Sequence, residues 1–314
     1  MARVLLLGST GTIGRATARA LLGRGHAVVA FGRRASEIPG VEARLGDVTA
    51  PGALLDVLRG GRFDAVASCL ASRTGTPADA WAIDHAAQLS ALESAKAAGV
   101  GRFVLLSAIC VQKPKLAFQH AKLAFEQALI GSGLSYSIVR PTAFFKSLSG
   151  QVARVKQGKP YLMFGDGTLT ACKPISDDDL GGYVADCVAY PARWNRILPI
   201  GGPGPAIRPR DQADALSKLL GRPVKTKSAP VMAMDAAILA LAAAGLLSRR
   251  ARDKAEFARI GRYYATESML VWDEAEQRYD AEATPETGTE TLFEFYDKLL
   301  SGEATVDLGA HAAF

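Results

Sequence analysis

The sequence is poor in the residues that hold metals or staple small domains, with four cysteines and four histidines among 314 residues. Cys69, Cys110, Cys172 and Cys187 lie far apart and form no C-x-x-C pair. That excludes a disulfide framework and a redox dithiol, and a reducing cytosol is expected. His26, His85, His120 and His311 are equally isolated, with no H-E-x-x-H and no zinc-type ligand spacing, so no protein-held metal is expected. Neither a G-x-S-x-G elbow nor a G-x-x-x-x-G-K-[ST] phosphate loop occurs, which sets aside elbow-type serine hydrolases and P-loop nucleotidases. Net charge is +6, yet the 37 basic residues form no polybasic run and no interleaved aromatic platform. No nucleic acid partner is expected, whereas an anionic small molecule or an anionic membrane surface suits the balance. The uncharged segment Ala236 to Leu247 is too short to span a bilayer. A first strand at Arg3 leaves no room for a basic-then-apolar leader, so any leader is expected to have been removed.

What is present is an ordinary globular composition, 49% hydrophobic and 22% charged, long enough for two domains or for one doubly wound domain with an extension. Arg3 to Leu7 reads as a strand buried on both faces, and the glycine-rich turn after it runs into an Ala/Leu/Arg helix over Arg15 to Leu22. His26 to Phe31, Ala65 to Leu70, Arg102 to Ser107, Leu134 to Arg140 and Arg196 to Ile200 supply further strands, and Ala80 to Ala98 carries helical spacing. Strands alternating with helices predict an α/β fold, a Rossmann-type doubly wound parallel sheet. A smaller C-terminal lobe is expected where the alternation becomes irregular. The expected division is a nucleotide-binding domain over residues 1–145 and a substrate-binding lobe over residues 146–314, interleaved with late elements of the sheet. Ala236 to Leu247, bounded by Asp235 and by Arg249, Arg250 and Arg252, is expected to be a buried or pocket-lining helix. An interfacial helix with snorkelling arginines is the alternative.

Gly8-Ser9-Thr10-Gly11-Thr12-Ile13-Gly14 follows the first strand and opens the first helix, the context in which a glycine motif binds a dinucleotide. The first glycine permits the tight turn, the second lets backbone N–H groups approach a pyrophosphate, and the third allows close packing of the helix. The helix N-terminus then faces the phosphates. NAD-binding chains place a carboxylate at the end of the second strand, where this one reads Phe31-Gly32-Arg33-Arg34. Two guanidinium groups match a 2′-phosphate in charge and fork geometry, so NADP(H) is favoured over NAD(H). Asp47 and Val48, after the next strand, could meet the adenine, and a simple turn aspartate is the other reading. Pro141, which breaks the strand over Leu134 to Arg140, joins the cofactor candidates.

Short-chain dehydrogenases carry Tyr-x-x-x-Lys on the helix after the fifth strand, with both side chains on one face. Here the chain reads Phe118-Gln119-His120-Ala121-Lys122. The lysine stays, able to bond a nicotinamide ribose, but phenylalanine cannot protonate an alkoxide. Ordinary carbonyl reduction is thereby put in doubt. The glycine motif and lone lysine resemble the atypical short-chain dehydrogenase group. Arg140 to Ser147 (RPTAFFKS), Phe164 to Leu180 (FGDGTLTACKPISDDDL) and Ile260 to Leu270 (IGRYYATESML) resemble the NADPH-dependent 3,8-divinyl chlorophyllide 8-vinyl reductase family of chlorophyll and bacteriochlorophyll synthesis.

The resemblance implies NADPH as cofactor and a magnesium tetrapyrrole of the divinyl chlorophyllide or protochlorophyllide type as substrate. Reducing a vinyl group needs a hydride and a proton but forms no alkoxide, which makes loss of the tyrosine tolerable. The proton donor stays open among Ser107, Lys122, a cysteine such as Cys172, and water. A large apolar disc with a propionate tail needs aromatic walls and cations. Phe144, Phe145 and Lys146 are the first candidates, followed by Phe164, Lys173, Tyr263 and Tyr264, and His120 is a candidate axial ligand for the pigment's magnesium. Two other readings remain. One is a non-catalytic NADP(H)-binding redox sensor or assembly factor; the other is a reductase of another apolar substrate, such as an isoflavone or quinone. The expected location is the cytoplasm of a photosynthetic bacterium, with peripheral contact to a membrane, or a plastid if a leader has been removed.

Overall fold

In the computed structural model, which describes residues 1–306, the apolar run Arg3–Leu7 is strand β1, and Val4 to Leu7 are completely shielded from water. His311 therefore lies outside the described residues. Strands β2 (Ala27–Gly32), β3 (Glu42–Leu45), β4 (Ala65–Ser68), β5 (Arg102–Leu106), β6 (Ser135–Pro141) and β8 (Arg196–Ile200) join β1 in a seven-stranded sheet of order β3-β2-β1-β4-β5-β6-β8. The five pairings from β3 through β6 are parallel. Parallel strands need crossovers, and the apolar runs that read as strands alternate with the helices that supply them. The order reverses between β1 and β4, so the two halves of the sheet wind in opposite directions from that point.

The chain forms two compact units. The first is Met1–Pro141 with Asp177–Pro199, and holds α1 (Thr12–Gly23), α2 (Ala53–Gly61), α3 (Pro77–Ala80), α4 (Gln88–Ala97), α5 (Ala117–Ile130) and α8 (Asp177–Ala189). On one face of the sheet, Leu54 and Leu58 of α2, Ala91 and Leu92 of α4, and Phe125 and Leu129 of α5 close a core with Leu5, Val29, Val66, Phe103 and Ile138. Phe103 and Phe125 meet edge to face at 5.8 Å, an arrangement that adds about 0.5–1.5 kcal/mol to simple burial. On the other face α1 packs against α8, so closely that a Cβ on Gly181 would stand 2.5 Å from the carbonyl carbon of Ala16. Arg19–Asp178 at 2.6 Å and Arg24–Asp186 at 2.8 Å join the same two helices.

The helix expected over Ala80 to Ala98 is three pieces, α3, a π-helical turn over Trp81–Ala87, and α4. Alanine spacing favours a helix but does not choose between i+4 and i+5 hydrogen bonding, so the extra residue in that turn is not visible in the pattern.

The second unit is Thr142–Ser176 with the chain from Ile200 onward. It holds α6 (Phe145–Leu148), α7 (Val152–Lys156), α9 (Pro209–Leu219), α10 (Val231–Ala244), α11 (Arg249–Thr266) and α12 (Leu292–Ser301). Two small sheets complete it: β7 (Tyr161–Phe164) parallel to β9 (Thr226–Ala229), and β10 (Val271–Asp273) antiparallel to β11 (Arg278–Asp280). Its buried polar centre is Gln212, whose Oε1 accepts hydrogen bonds from the hydroxyls of Tyr161 and Tyr296, both at 3.0 Å. The expectation of a buried helix at Ala236 to Leu247 is overturned. No residue of α10 is buried, and Leu239, Leu246 and Leu247 are 71%, 82% and 97% exposed. The helix packs chiefly on α11, and one main neighbour covers only one side of a helix whose single charge is Asp235.

Candidate active site

Because β1 to β6 run the same way, the segments that follow them come out at one edge of the sheet. The glycine loop follows β1, Arg33 and Arg34 follow β2, the loop leading to Asp84 follows β4, Ser107 follows β5, and Pro141 ends β6. That edge, beside the switch between β1 and β4, is where open α/β sheets bind nucleotides.

Gly8 and Gly14 have steric reasons within the fold, and Gly11 does not. Gly8 has φ +77°, a left-handed conformation, and a Cβ there would sit 2.6 Å from the Cys69 carbonyl oxygen. Gly11 N–H donates to Gly8 O at 3.0 Å, which closes the turn. Gly14 presses on the loop itself, since a Cβ there would lie 2.1 Å from Gly8 O, while a Cβ on Gly11 would meet nothing nearer than 3.4 Å. The first turn of α1 contains no acidic side chain, so the positive end of its dipole is not neutralised. These features fit a dinucleotide pyrophosphate held by the loop from Gly8 through Gly14, with Ser9 buried within it.

Arg33 and Arg34 are exposed beyond β2, disposed for a phosphate arriving from solvent. Asp47 Oδ1 accepts the Thr49 hydroxyl at 2.7 Å and the Thr49 N–H at 2.9 Å. Those two bonds, with the nearby charge of Arg33, hold its carboxyl below the usual aspartate range. Asp47 is thus an ionised turn residue, with Val48 partly buried beside it.

Lys122 is buried on α5, one turn after the buried ring of Phe118. Its Nζ lies 3.0 Å from Oδ1 of Asp84, which stands in the π-helical turn. The same Oδ1 accepts the Ser72 N–H at 3.2 Å, and Oδ2 is buried without a hydrogen-bond partner. One turn on, Gln88 bonds the Ser68 hydroxyl at 2.8 Å and so fixes this segment to the end of β4. His120 is exposed on α5, two residues from Lys122 and off its face. Ser107 donates its hydroxyl proton to Glu126, a completely buried carboxylate that also takes two guanidinium N–H groups of Arg140. Neither Asp84 nor Glu126 stands out in the sequence. An acid inside an alanine-rich or apolar helical face was the available signal, because such a group is buried only with a partner.

The substrate candidates all fall in the second unit. Phe144 caps α6 and bridges to Ile175, whereas Phe145 is buried with its ring 5.4 Å from that of Phe295 and serves as core. Lys146 is partly buried, and Phe164 is partly buried at the end of β7. Lys173 is buried, its ammonium donating to Thr284 O at 3.3 Å and Glu286 at 3.2 Å, so its charge is already answered. On α11 Tyr263 is buried and Tyr264 is exposed, their rings edge to face at 5.7 Å. Cys172 is buried, its Sγ–H directed to Ile207 O at 3.9 Å, and burial pushes the thiol up to about 12.

A parallel sheet reversing at β1/β4, a glycine loop opening α1, and a buried lysine on the helix after β5 define an NAD(P)H-binding reductase of the atypical short-chain group. Residues 8–191 match a family described as "NAD(P)H-binding". The chain is 47% identical over 331 residues to the chloroplastic divinyl chlorophyllide a 8-vinyl-reductase of Oryza sativa subsp. indica, covering 99% of this chain and 82% of that one. It belongs to the divinyl chlorophyllide a 8-vinyl-reductase family. More distant is the Photosystem II assembly factor Ycf39 of Cyanophora paradoxa, 26% identical over 74% of each chain. Among solved structures, the ternary complex of leucoanthocyanidin reductase from Vitis vinifera has the same fold, with a TM-score of 0.70, 17% identity, and coverage of 95% of this chain and 99% of that one.

Proposed function

We propose that this protein reduces the C8 vinyl group of a divinyl chlorophyllide-type magnesium tetrapyrrole to ethyl, with NADPH, in chlorophyll or bacteriochlorophyll synthesis. The observation that carries the reading is the near-full-length relationship to 8-vinyl reductases, which spans both units. The assembly-factor alternative has only the distant relatives behind it.

NADPH supplies the hydride. Gly8 to Gly14, with Ser9, Thr10, Thr12 and Ile13, would hold the pyrophosphate, Arg33 and Arg34 the 2′-phosphate, and Asp47, Val48 and Pro141 the flanks of the cofactor. Lys122, pinned by Asp84, holds its ammonium at a fixed point at the sheet edge, suited to bonding ribose hydroxyls. Adding hydride to one vinyl carbon and a proton to the other passes charge into the conjugated ring, so no phenol is required where Phe118 stands. Ser107 is poised toward Glu126 and so orders the end of β5, while the Lys122 ammonium keeps N–H groups beyond the one given to Asp84. Much of the rate then comes from positioning the ring against the nicotinamide. In the second unit, Phe144, Lys146, Phe164 and Tyr264 have the exposure a pigment wall needs. Tyr263 packs edge to face on Tyr264, while the buried Phe145 and Lys173 are engaged with Phe295 and with Thr284 and Glu286. The proposed compartment is the cytoplasm of a photosynthetic bacterium or a plastid, with peripheral membrane contact.

The test is an anaerobic incubation of the purified protein with divinyl chlorophyllide and NADPH, followed by chromatographic separation of divinyl and monovinyl pigments. Monovinyl product without flavin or ferredoxin is expected. NADPH binding with no product would overturn the assignment.

A further inference from the structure

Helix α10 contradicts the usual fate of its composition. A helix that is apolar on every side belongs in a core or in lipid. This one buries no residue, and Met232 and Leu239, seven residues apart on its open side, are 81% and 71% exposed. Leu246 and Leu247, 82% and 97% exposed in the turn after the helix, extend the stripe past its end. The only charge between Pro230 and Ser248 is Asp235, and it is turned to Arg262 of α11. Fourteen residues make a rod about 21 Å long at about 1.5 Å per residue, and no helix among the described residues is long and apolar enough to cross a membrane.

The charge at the two ends of the stripe decides what it meets. Lys225 and Lys227 precede it and Arg249, Arg250 and Arg252 follow it, all exposed, with no acidic residue among them other than Asp235. A second copy of the chain is disfavoured by the same pattern. Whether two stripes paired parallel or antiparallel, cationic ends would face cationic ends. An anionic lipid surface answers both features at once, taking the apolar face below the headgroups and the lysines and arginines among them.

We propose that the outer face of α10, with the cations at its two ends, docks the protein on an anionic lipid bilayer. The helix lies in the plane of the interface, and Arg249 and Arg250 spread their guanidinium groups to the headgroups while Leu246 and Leu247 enter the acyl boundary. The docking does not depend on the reductase reading, because its readout is vesicle binding and not turnover.

The experiment is flotation of the full chain with phosphatidylcholine vesicles, with and without phosphatidylglycerol, at low and high salt. Binding is expected only to the anionic vesicles and is weakened by salt. Leu239→Glu with Leu246→Glu, and separately Arg249→Ser with Arg250→Ser, should each lower the affinity about tenfold or more. Thermal melts and NADPH binding should stay close to wild type, because the substituted side chains are mostly exposed. Absence of wild-type binding to anionic vesicles, or binding undiminished in a folded leucine variant, would overturn the proposal. So would a concentration-dependent dimer, seen by light scattering and abolished by Leu239→Glu, which would assign the face to a second copy.

Discussion

Lys122 Nζ and Asp84 Oδ1 stand 3.0 Å apart with side chains 10% and 0% exposed, a charge pair that joins the helix after β5 to the π-helical turn after β4. Removing one member leaves the other charge buried and alone, at a cost of about 3–5 kcal/mol. Asp84→Asn and Lys122→Met should each lose stability on that scale in urea unfolding. The double variant Asp84→Leu with Lys122→Met should regain part of it. Turnover and NADPH affinity should not return with stability; if they do, the ammonium has no part in the site.

The glycines of the loop separate folding from binding. Gly14→Ala forces a Cβ to within 2.1 Å of Gly8 O and should destabilise the first unit severely. Gly11→Ala meets only a 3.4 Å contact and should fold with a melting temperature close to wild type, yet lose NADPH affinity. Unimpaired binding in the Gly11 variant would mean that the pyrophosphate does not approach there.

Arg33 and Arg34 are expected to read the 2′-phosphate. Replacing both with alanine should weaken NADPH about tenfold or more, with NADH nearly unaffected. Fluorescence titration with the two cofactors checks this, and equal losses would refute it.

Phe118→Tyr restores the pattern of carbonyl reductases one turn before Lys122. No gain in vinyl reduction is expected, because no alkoxide forms. A large gain would show that an acid at this place limits the reaction.

His26 accepts the Ala2 N–H on Nδ1 at 3.1 Å and is buried. Burial first, then the N-terminal ammonium and Arg24, hold its pKa below the ordinary 6.5. The unfolded chain therefore takes up this proton before the folded one does. The stability that His26 contributes should fall as pH drops from about 6.5 to the lower folded value and be level below it. Melting temperatures across that range, compared between wild type and His26→Gln, should show a steeper fall in wild type, and equal slopes would refute the assignment.

Elements written by local pattern were readable from the sequence. β1 at Arg3–Leu7 and β8 at Arg196–Ile200 end where the apolar runs end, and the Gly8 to Gly14 loop sits where its motif requires. What was not readable depends on partners distant in the chain. Asp84 meets Lys122 across 38 positions, and Glu126 joins Ser107 to Arg140, pairings that no local spacing encodes. α10 shows the opposite failure. Its apolarity was legible but its exposure was not, because burial depends on what packs around a helix and not on the helix alone.

The contact between Gly181 and Ala16 has a consequence for the chain as a polymer. The main chain crosses between units at Pro141–Thr142, Ser176–Asp177 and Pro199–Ile200, so the nucleotide-binding unit is not a contiguous stretch of the gene. A ribosome that has finished residue 145 has made six of its seven sheet strands but not α8, and the flank of α1 around Ala16 waits bare for another thirty or so residues. Truncation at that point gives a fragment with an open seam, and any recombination that exchanges one unit between relatives must cut at three places to keep the seam closed.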